Sequence, residues 1–184
     1  MWPDSIEQEM KIPVESFDNV LEFLKQSGSF KGESRQHDVY FTDTTRYSSH
    51  EGSFVMRIRR TESKAFMTFK GSTGRSGVYD ECEIEVKDPD TAETMMKKLG
   101  FKPFLEITKH RVQYEFNGAE VNLDDVQGLG KFIEIEIISE GNADSELSEV
   151  AGRLGLDANT SIRVGYVTQL LQKTGSEYSK FMQY

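Results

Sequence analysis

Apolar and polar positions alternate with a period of two along most of this chain. In residues 5–12, Ile6, Met10 and Ile12 share one face of an extended strand with Gln8, while Glu7, Glu9 and Lys11 share the other. The same alternation predicts strands at 36–42, 53–61, 65–70, 79–87, 105–116, 119–124 and 131–139. A helical period replaces it in four places. Residues 13–27 carry Val14, Phe17, Val20, Leu21 and Leu24 before Gly28. Residues 90–99 follow Pro89, with Thr91 as the expected cap and Gly100 as the stop. Residues 145–154 and 161–173 complete the set, each with an apolar stripe and a glycine just beyond.

Eight strands interrupted by a few helices predict an α+β fold with a large antiparallel sheet. The glycine-rich KGSTGRSG at 70–77 lies between two strands and lacks the Gly-Lys-Ser/Thr of a phosphate loop, so it reads as a mobile hairpin. A weak internal echo runs through the chain. Glu7 and Glu81 open similar strand–helix–strand stretches 74 positions apart, and His37 and His110 recur 73 apart. Two similar halves could close a sheet on itself.

The charged faces are sorted by sign. Arg57 and Arg59 share a face; Lys70 follows Phe66 and Thr68; Lys109 and Arg111 stand together. Glu81, Glu83 and Glu85 oppose Cys82, Ile84 and Val86, and Glu134 and Glu136 oppose Ile133, Ile135 and Ile137. Like charges crowded on one face weaken a sheet, so an ordinary wet face does not account for the sorting. A closed eight-stranded antiparallel β-barrel does. Its apolar faces would turn outward under flanking helices, and its charged faces would line a tunnel wide enough for one small ligand.

Composition narrows the occupant. The 184 residues carry a net charge of −9, which disfavours nucleic acid as a partner. One cysteine, Cys82, cannot form an intrachain disulfide, and no run approaches the roughly 18 apolar residues of a membrane span. A cytoplasmic protein with no membrane partner is the expectation. Six cations, Lys11, Arg57, Arg59, Lys70, Lys109 and Arg111, suit a triphosphate, whose oxygens arginine grips in pairs. Glu7, Glu9, Glu134 and Glu136, with Asp124 nearby, suit Mg²⁺ or Mn²⁺, hard cations that prefer oxygen ligands.

These residues resemble the CYTH superfamily of triphosphate tunnel metalloenzymes. Its Glu-x-Glu-x-Lys signature matches Glu7, Glu9 and Lys11, followed in order by Arg57-x-Arg59, Lys70, Lys109-x-Arg111 and the acidic strand with Glu134 and Glu136. The resemblance spans about residues 5–172, giving an expected domain at 1–172 and a tail at 173–184. QHDVYF (36–41) and LDDVQGLGKFIEIE (123–136) are more similar to the class IV adenylyl cyclase branch than to thiamine triphosphatase. GYVTQLL (165–171) is too, although that branch often has serine where Gly165 stands.

The resemblance implies the tunnel fold and dependence on a divalent metal, Mg²⁺ or Mn²⁺. It assigns the six cations to the triphosphate, and Glu7, Glu9, Asp124, Glu134 and Glu136 to metal. Glu83 matches a further family carboxylate and is a less supported candidate for a second ion; Glu81 and Glu85 have less support still. The implied reaction is conversion of ATP to 3′,5′-cyclic AMP and pyrophosphate. Hydrolysis of inorganic tripolyphosphate, a nucleoside triphosphate or thiamine triphosphate, and non-catalytic binding of such ligands, are the alternatives. His37 and Asp38 are the visible candidates for a general base, set against a plain role at a rim or turn. His50 reads as a loop residue and His110 as an outward strand residue. A homodimer is suggested by the family alone.

Overall fold

The computed structural model describes residues 6–42 and 54–176. Its strands are β1 (Ile6–Val14), β2 (Ser29–Thr42), β3 (Phe54–Arg60), β4 (Ala65–Ser72), β5 (Val78–Glu85), β6 (Lys102–Phe116), β7 (Ala119–Val126) and β8 (Gly130–Ile138). The helices are α1 (Asp18–Ser27), α2 (Pro89–Lys98), α3 (Asp144–Arg153) and α4 (Tyr166–Thr174). All the strand pairings are antiparallel, and they close the sheet into a ring in the order β1-β5-β4-β3-β2-β6-β7-β8.

The ring reads the same after β1–β4 are exchanged for β5–β8, apart from direction. Each half runs strand, helix, strand, then a hairpin, which accounts for the echo between Glu7 and Glu81.

The apolar faces of most strands turn outward, under the helices, while Ile84 on β5 is left 53% exposed. Met10, Ile12, Val121, Leu123, Ile133 and Ile135 form one core with Val20 and Leu24 of α1 and Leu147 and Val150 of α3. Val39, Phe41 and Ile58 form another with Met96 of α2. Each such side chain contributes about 1.5–3 kcal/mol by leaving water. The opposite face is thereby committed to the interior of the ring.

Element ends depart from the sequence expectation for local reasons. Helix α1 starts at Asp18, not near residue 13, because Pro13 and Val14 continue β1 and pair with Phe132 and Lys131. Asp88, not Thr91, caps α2: its carboxylate accepts from the Thr91 amide at 3.0 Å and from the Thr91 hydroxyl at 2.6 Å. Strand β2 begins at Ser29, seven residues early, in a polar stretch that pairs with β6 and is laced by Lys31–Glu115 and Glu33–His110 contacts. Helix α4 begins only at Tyr166, since Ile162 is held extended by paired backbone hydrogen bonds to Lys11.

The glycine-rich hairpin between β4 and β5 is anchored to β1. The Gly77 carbonyl accepts from the Glu9 amide at 2.8 Å, and Gly77 adopts φ +75°. A Cβ there would lie 2.7 Å from the Glu9 carbonyl oxygen, so the close approach needs glycine.

A charge-lined tunnel as candidate active site

The inner faces enclose a cavity of about 460 Å³. Its walls include Lys11, Arg57, Arg59, Lys70, Lys109 and Arg111, supplied by four different strands. Alternation within each strand aims them inward; closure of the ring brings them together.

The cations are held by neighbouring acids, several of them buried. Arg111 donates to both oxygens of Asp124, at 2.7 and 2.5 Å, and also contacts Glu134. Lys109 donates to Asp124 at 3.0 Å. Lys11 pairs with Glu134 at 2.9 Å and also contacts Glu9. Arg59 grips Asp38 with two nitrogens, at 2.7 and 2.8 Å. Arg57 reaches Glu83 at 3.0 Å and shares Thr68 with it. Lys70 sits among Glu7 at 2.8 Å, Glu81 at 3.0 Å and Glu9 at 3.6 Å.

Three carboxylates, Glu7, Glu9 and Glu136, each offer an oxygen within 4.8 Å of the others. Their register explains the meeting: Glu9 lies opposite Glu136 on β8, and Glu7 precedes Glu9 by one full pleat. Crowding is costly. Burial pushes Glu7 up to about 7 against the opposing Lys70 charge, with Glu81 and Glu9 adding to the rise. Burial, Glu134 and Glu7 likewise hold Glu136 well above the carboxylate range. A small divalent cation between these oxygens would relieve that repulsion, and an all-carboxylate donor set fits Mg²⁺ or Mn²⁺. Glu134 differs: burial opposes its ionisation, but Lys11 and Arg111 keep it ionised.

A match to the CYTH domain family covers residues 5–166. The chain belongs to the CYTH family. A protein of Methanocaldococcus jannaschii provisionally named an adenylate cyclase is 33% identical over 88% of this chain and 97% of its own length. The adenylate cyclase CyaB of Aeromonas hydrophila is 31% identical over 68% of this chain and 67% of its own. Among solved structures, a conserved hypothetical protein of Pyrococcus furiosus superposes with a TM-score of 0.77 at 30% identity, covering 88% of this chain and 98% of that one. A Hippeastrum protein, described as having a dominant triphosphatase activity, shares the fold alone, with a TM-score of 0.64 at 17% identity over 93% of this chain and 96% of that one.

All six cations read as triphosphate ligands from the CYTH signature line the cavity, as do Glu7, Glu9, Glu83, Glu134 and Glu136. Asp124 does not join the carboxylate trio. It is fully buried behind the wall, where Arg111, Lys109 and the Tyr166 hydroxyl, at 3.1 Å, consume its oxygens. Glu85 lies at the end of β5 and pairs with Lys64 at 2.9 Å.

His37 and Asp38 belong to β2, not to a turn, and face opposite ways. His37 points out of the ring, meets Glu106 at 3.1 Å and does not line the cavity. Asp38 points in. Burial would raise its carboxyl, but Arg59, with Arg57 and Lys109, holds it well below the usual range, so it is a poor proton acceptor. His110 faces outward to Glu33 at 2.8 Å, and His50 lies outside the described residues.

Other wall residues carried no sequence signal. Tyr166 looked like part of the α4 stripe, yet its ring stands 5.2 Å from both the Lys11 and Lys109 ammonium groups. Glu120 and Gln36 also line the cavity. Among the described residues, seven basic and seven acidic side chains line it, so its lining is formally neutral.

Proposed function

We propose that this CYTH protein is a divalent-metal-dependent adenylyl cyclase of the class IV type, making 3′,5′-cyclic AMP and pyrophosphate from ATP. The observation that carries this reading is the carboxylate trio of Glu7, Glu9 and Glu136 set against six inward cations in one enclosed cavity. The names of the Methanocaldococcus and Aeromonas relatives support cyclisation over other triphosphate chemistry.

Charge balance supports the need for metal. A triphosphate entering a tunnel with a formally neutral lining brings about four negative charges that the walls alone do not offset. Glu7, Glu9 and Glu136 would hold Mg²⁺ or Mn²⁺, with Glu134 and Glu83 close by. The bound ion would stabilise charge on the phosphates and the leaving group.

The chain's own residues do the positioning. Arg57, Arg59 and Arg111 would exchange their carboxylate partners for phosphate oxygens, and Lys11, Lys70 and Lys109 would add point charges along the chain. Held extended, the triphosphate presents the α-phosphorus to the ribose 3′-hydroxyl. A bond forms from the 3′-oxygen to that phosphorus as the bridge to the β-phosphate breaks; the hydroxyl proton passes to solvent or to the departing pyrophosphate, and pyrophosphate leaves.

Hydrolysis of a triphosphate would use the same charges with water as the nucleophile. Incubating the purified protein with Mg²⁺ or Mn²⁺ and, separately, ATP and tripolyphosphate decides between the readings. Cyclic AMP with pyrophosphate supports the cyclase. Orthophosphate from tripolyphosphate, with no cyclic AMP from ATP, replaces it with a hydrolase. Binding without turnover of either leaves a non-catalytic module.

A further inference from the structure

Most polar groups around the tunnel are paired, which makes an unpaired one informative. Among the described residues, three neutral side chains bury an oxygen that accepts no hydrogen bond: Gln36, Thr42 and Asn122. Only Gln36 lines the cavity. It is 7% exposed, and its amide nitrogen donates to the Ser34 hydroxyl at 3.2 Å, leaving its carbonyl oxygen without a donor. That carbonyl end of Gln36 has no protein partner, at a cost of about 1–3 kcal/mol unless a ligand supplies one.

The location indicates which part of a ligand that is. Gln36 lies opposite Lys109 on β6 and two residues before Asp38, the partner of Arg59, so it stands beside the cationic wall. It is not itself charged. Its free carbonyl accepts and does not donate, so it cannot ligate a phosphate oxygen. Phe66, opposite Arg59 on β4, gives the same end of the cavity an aromatic face. A neutral acceptor beside a cationic wall, with an aromatic surface near, suits the nucleoside end of a nucleotide.

We propose that Gln36 is a specificity-determining residue that reads the nucleoside moiety of the substrate. Its side-chain carbonyl accepts a hydrogen bond from a neutral donor there, either the exocyclic amine of the base or a ribose hydroxyl. Ser34 holds the amide in position. The assignment rests on the nucleotide reading of the same tunnel and goes beyond it by naming the residue that tells a nucleotide from a bare polyphosphate.

The test compares the wild-type protein with Gln36→Leu and Ser34→Ala. Affinities for ATP, inosine triphosphate, 2′-deoxyadenosine triphosphate and tripolyphosphate are measured by competition against a fluorescent triphosphate in the cold, with Mg²⁺ present. The expected result is a roughly tenfold or larger loss of ATP affinity in Gln36→Leu, a smaller loss in Ser34→Ala, and tripolyphosphate affinity within about twofold of wild type in both. Unchanged tripolyphosphate binding also shows that the variants fold. Loss of the wild-type preference for ATP over inosine triphosphate identifies the base amine as the donor; loss of the preference over the deoxynucleotide identifies the ribose hydroxyl. Equal losses for ATP and tripolyphosphate, or full retention of ATP discrimination, overturn the role of Gln36 while leaving the nucleotide reading intact. A wild-type protein that binds the three nucleotides alike and forms no cyclic AMP overturns both.

Discussion

Arg59 and Asp38 face each other across neighbouring strands and form a two-pronged ion pair, with N–O distances of 2.7 and 2.8 Å and the carboxylate 1% exposed. The pair fixes the Arg59 guanidinium in place without substrate. It also means that a phosphate must compete with Asp38 for the same guanidinium.

Replacing Asp38 with asparagine leaves a buried arginine beside Arg57 with no counter-charge. Such a change costs about 3–5 kcal/mol, which lowers the melting temperature by roughly 10 °C in a chain of this size. Tripolyphosphate with Mg²⁺ should restore more of that loss in Asp38→Asn than it adds to the wild-type protein, since it supplies the missing anion. Thermal melts with and without the ligand check both halves. Equal ligand-induced shifts in the two proteins would mean that Arg59 does not reach the phosphates.

The carboxylate trio predicts a metal affinity that depends on pH. Burial and neighbouring acids raise Glu7 to about 7, above its unfolded value of 4.5. A raised acid is protonated in the folded state where the unfolded chain has released its proton, so stability without metal falls as pH rises from about 4.5 through 7. Metal requires the carboxylate form, so Mn²⁺ affinity should rise with pH through this window, with proton release from Glu7 and the likewise raised Glu136 on binding. Calorimetry in buffers of different ionisation enthalpy measures that release. Glu7→Gln should remove the part of the pH dependence centred near 7 and leave that of Glu136, and Glu136→Gln should weaken binding by more than about tenfold.

How far the ring could be read from sequence follows from side-chain period. Lys109 and Arg111, or Glu134 and Glu136, announce a shared face because alternation in a strand is rigid, and faces of one sign must find the other sign across a cavity. Residues that work through packing carry no such mark. Tyr166 sits in an ordinary helical stripe, and only closure of the ring sets its ring beside Lys11 and Lys109. The trio shows the same limit: Glu134 and Glu136 look equivalent in FIEIEI, yet their register opposite Lys11 and Glu9 gives one a cation and the other a carboxylate. Strand ends were hidden for a different reason. Residues 29–35 have too few apolar positions to reveal a period, and β6 alone holds them extended.

Lys109 predicts a second limb of pH dependence. Burial and the neighbouring Arg111 lower its ammonium to about 8, against the pull of Asp124 and Glu134. A lowered base loses its proton in the folded state first, so its destabilising contribution is present below about pH 8 and relieved between there and 10.5. Triphosphate binding uses the charged form, and one charge-assisted hydrogen bond is worth about tenfold or more in affinity. Affinity for tripolyphosphate should therefore decline as pH passes about 8. In Lys109→Arg the guanidinium stays charged, and the decline should move beyond pH 9.5. An unshifted decline in that variant would assign the limb to another group.

Gly77 ties the hairpin to the carboxylates. Its carbonyl accepts from the Glu9 amide, and an added methyl group would meet the Glu9 carbonyl oxygen at 2.7 Å in a backbone conformation that L-residues rarely adopt. The left-handed conformation alone costs about 1–2 kcal/mol, and relieving the collision means moving β1 or the loop. Gly77→Ala should lower stability by at least about 2 kcal/mol, read as a fall of roughly 4–8 °C in melting temperature. Because the displaced segment carries Glu7 and Glu9, Mn²⁺ affinity should drop with it, although Gly77 offers the ion no side chain. Gly118→Ala is the control: it also has positive φ, at 78°, but nothing lies within 4 Å of its Cβ position. It should lose comparable backbone energy and keep its metal. If both variants bound Mn²⁺ as tightly as the wild type, the hairpin would have no part in setting the spacing of the trio.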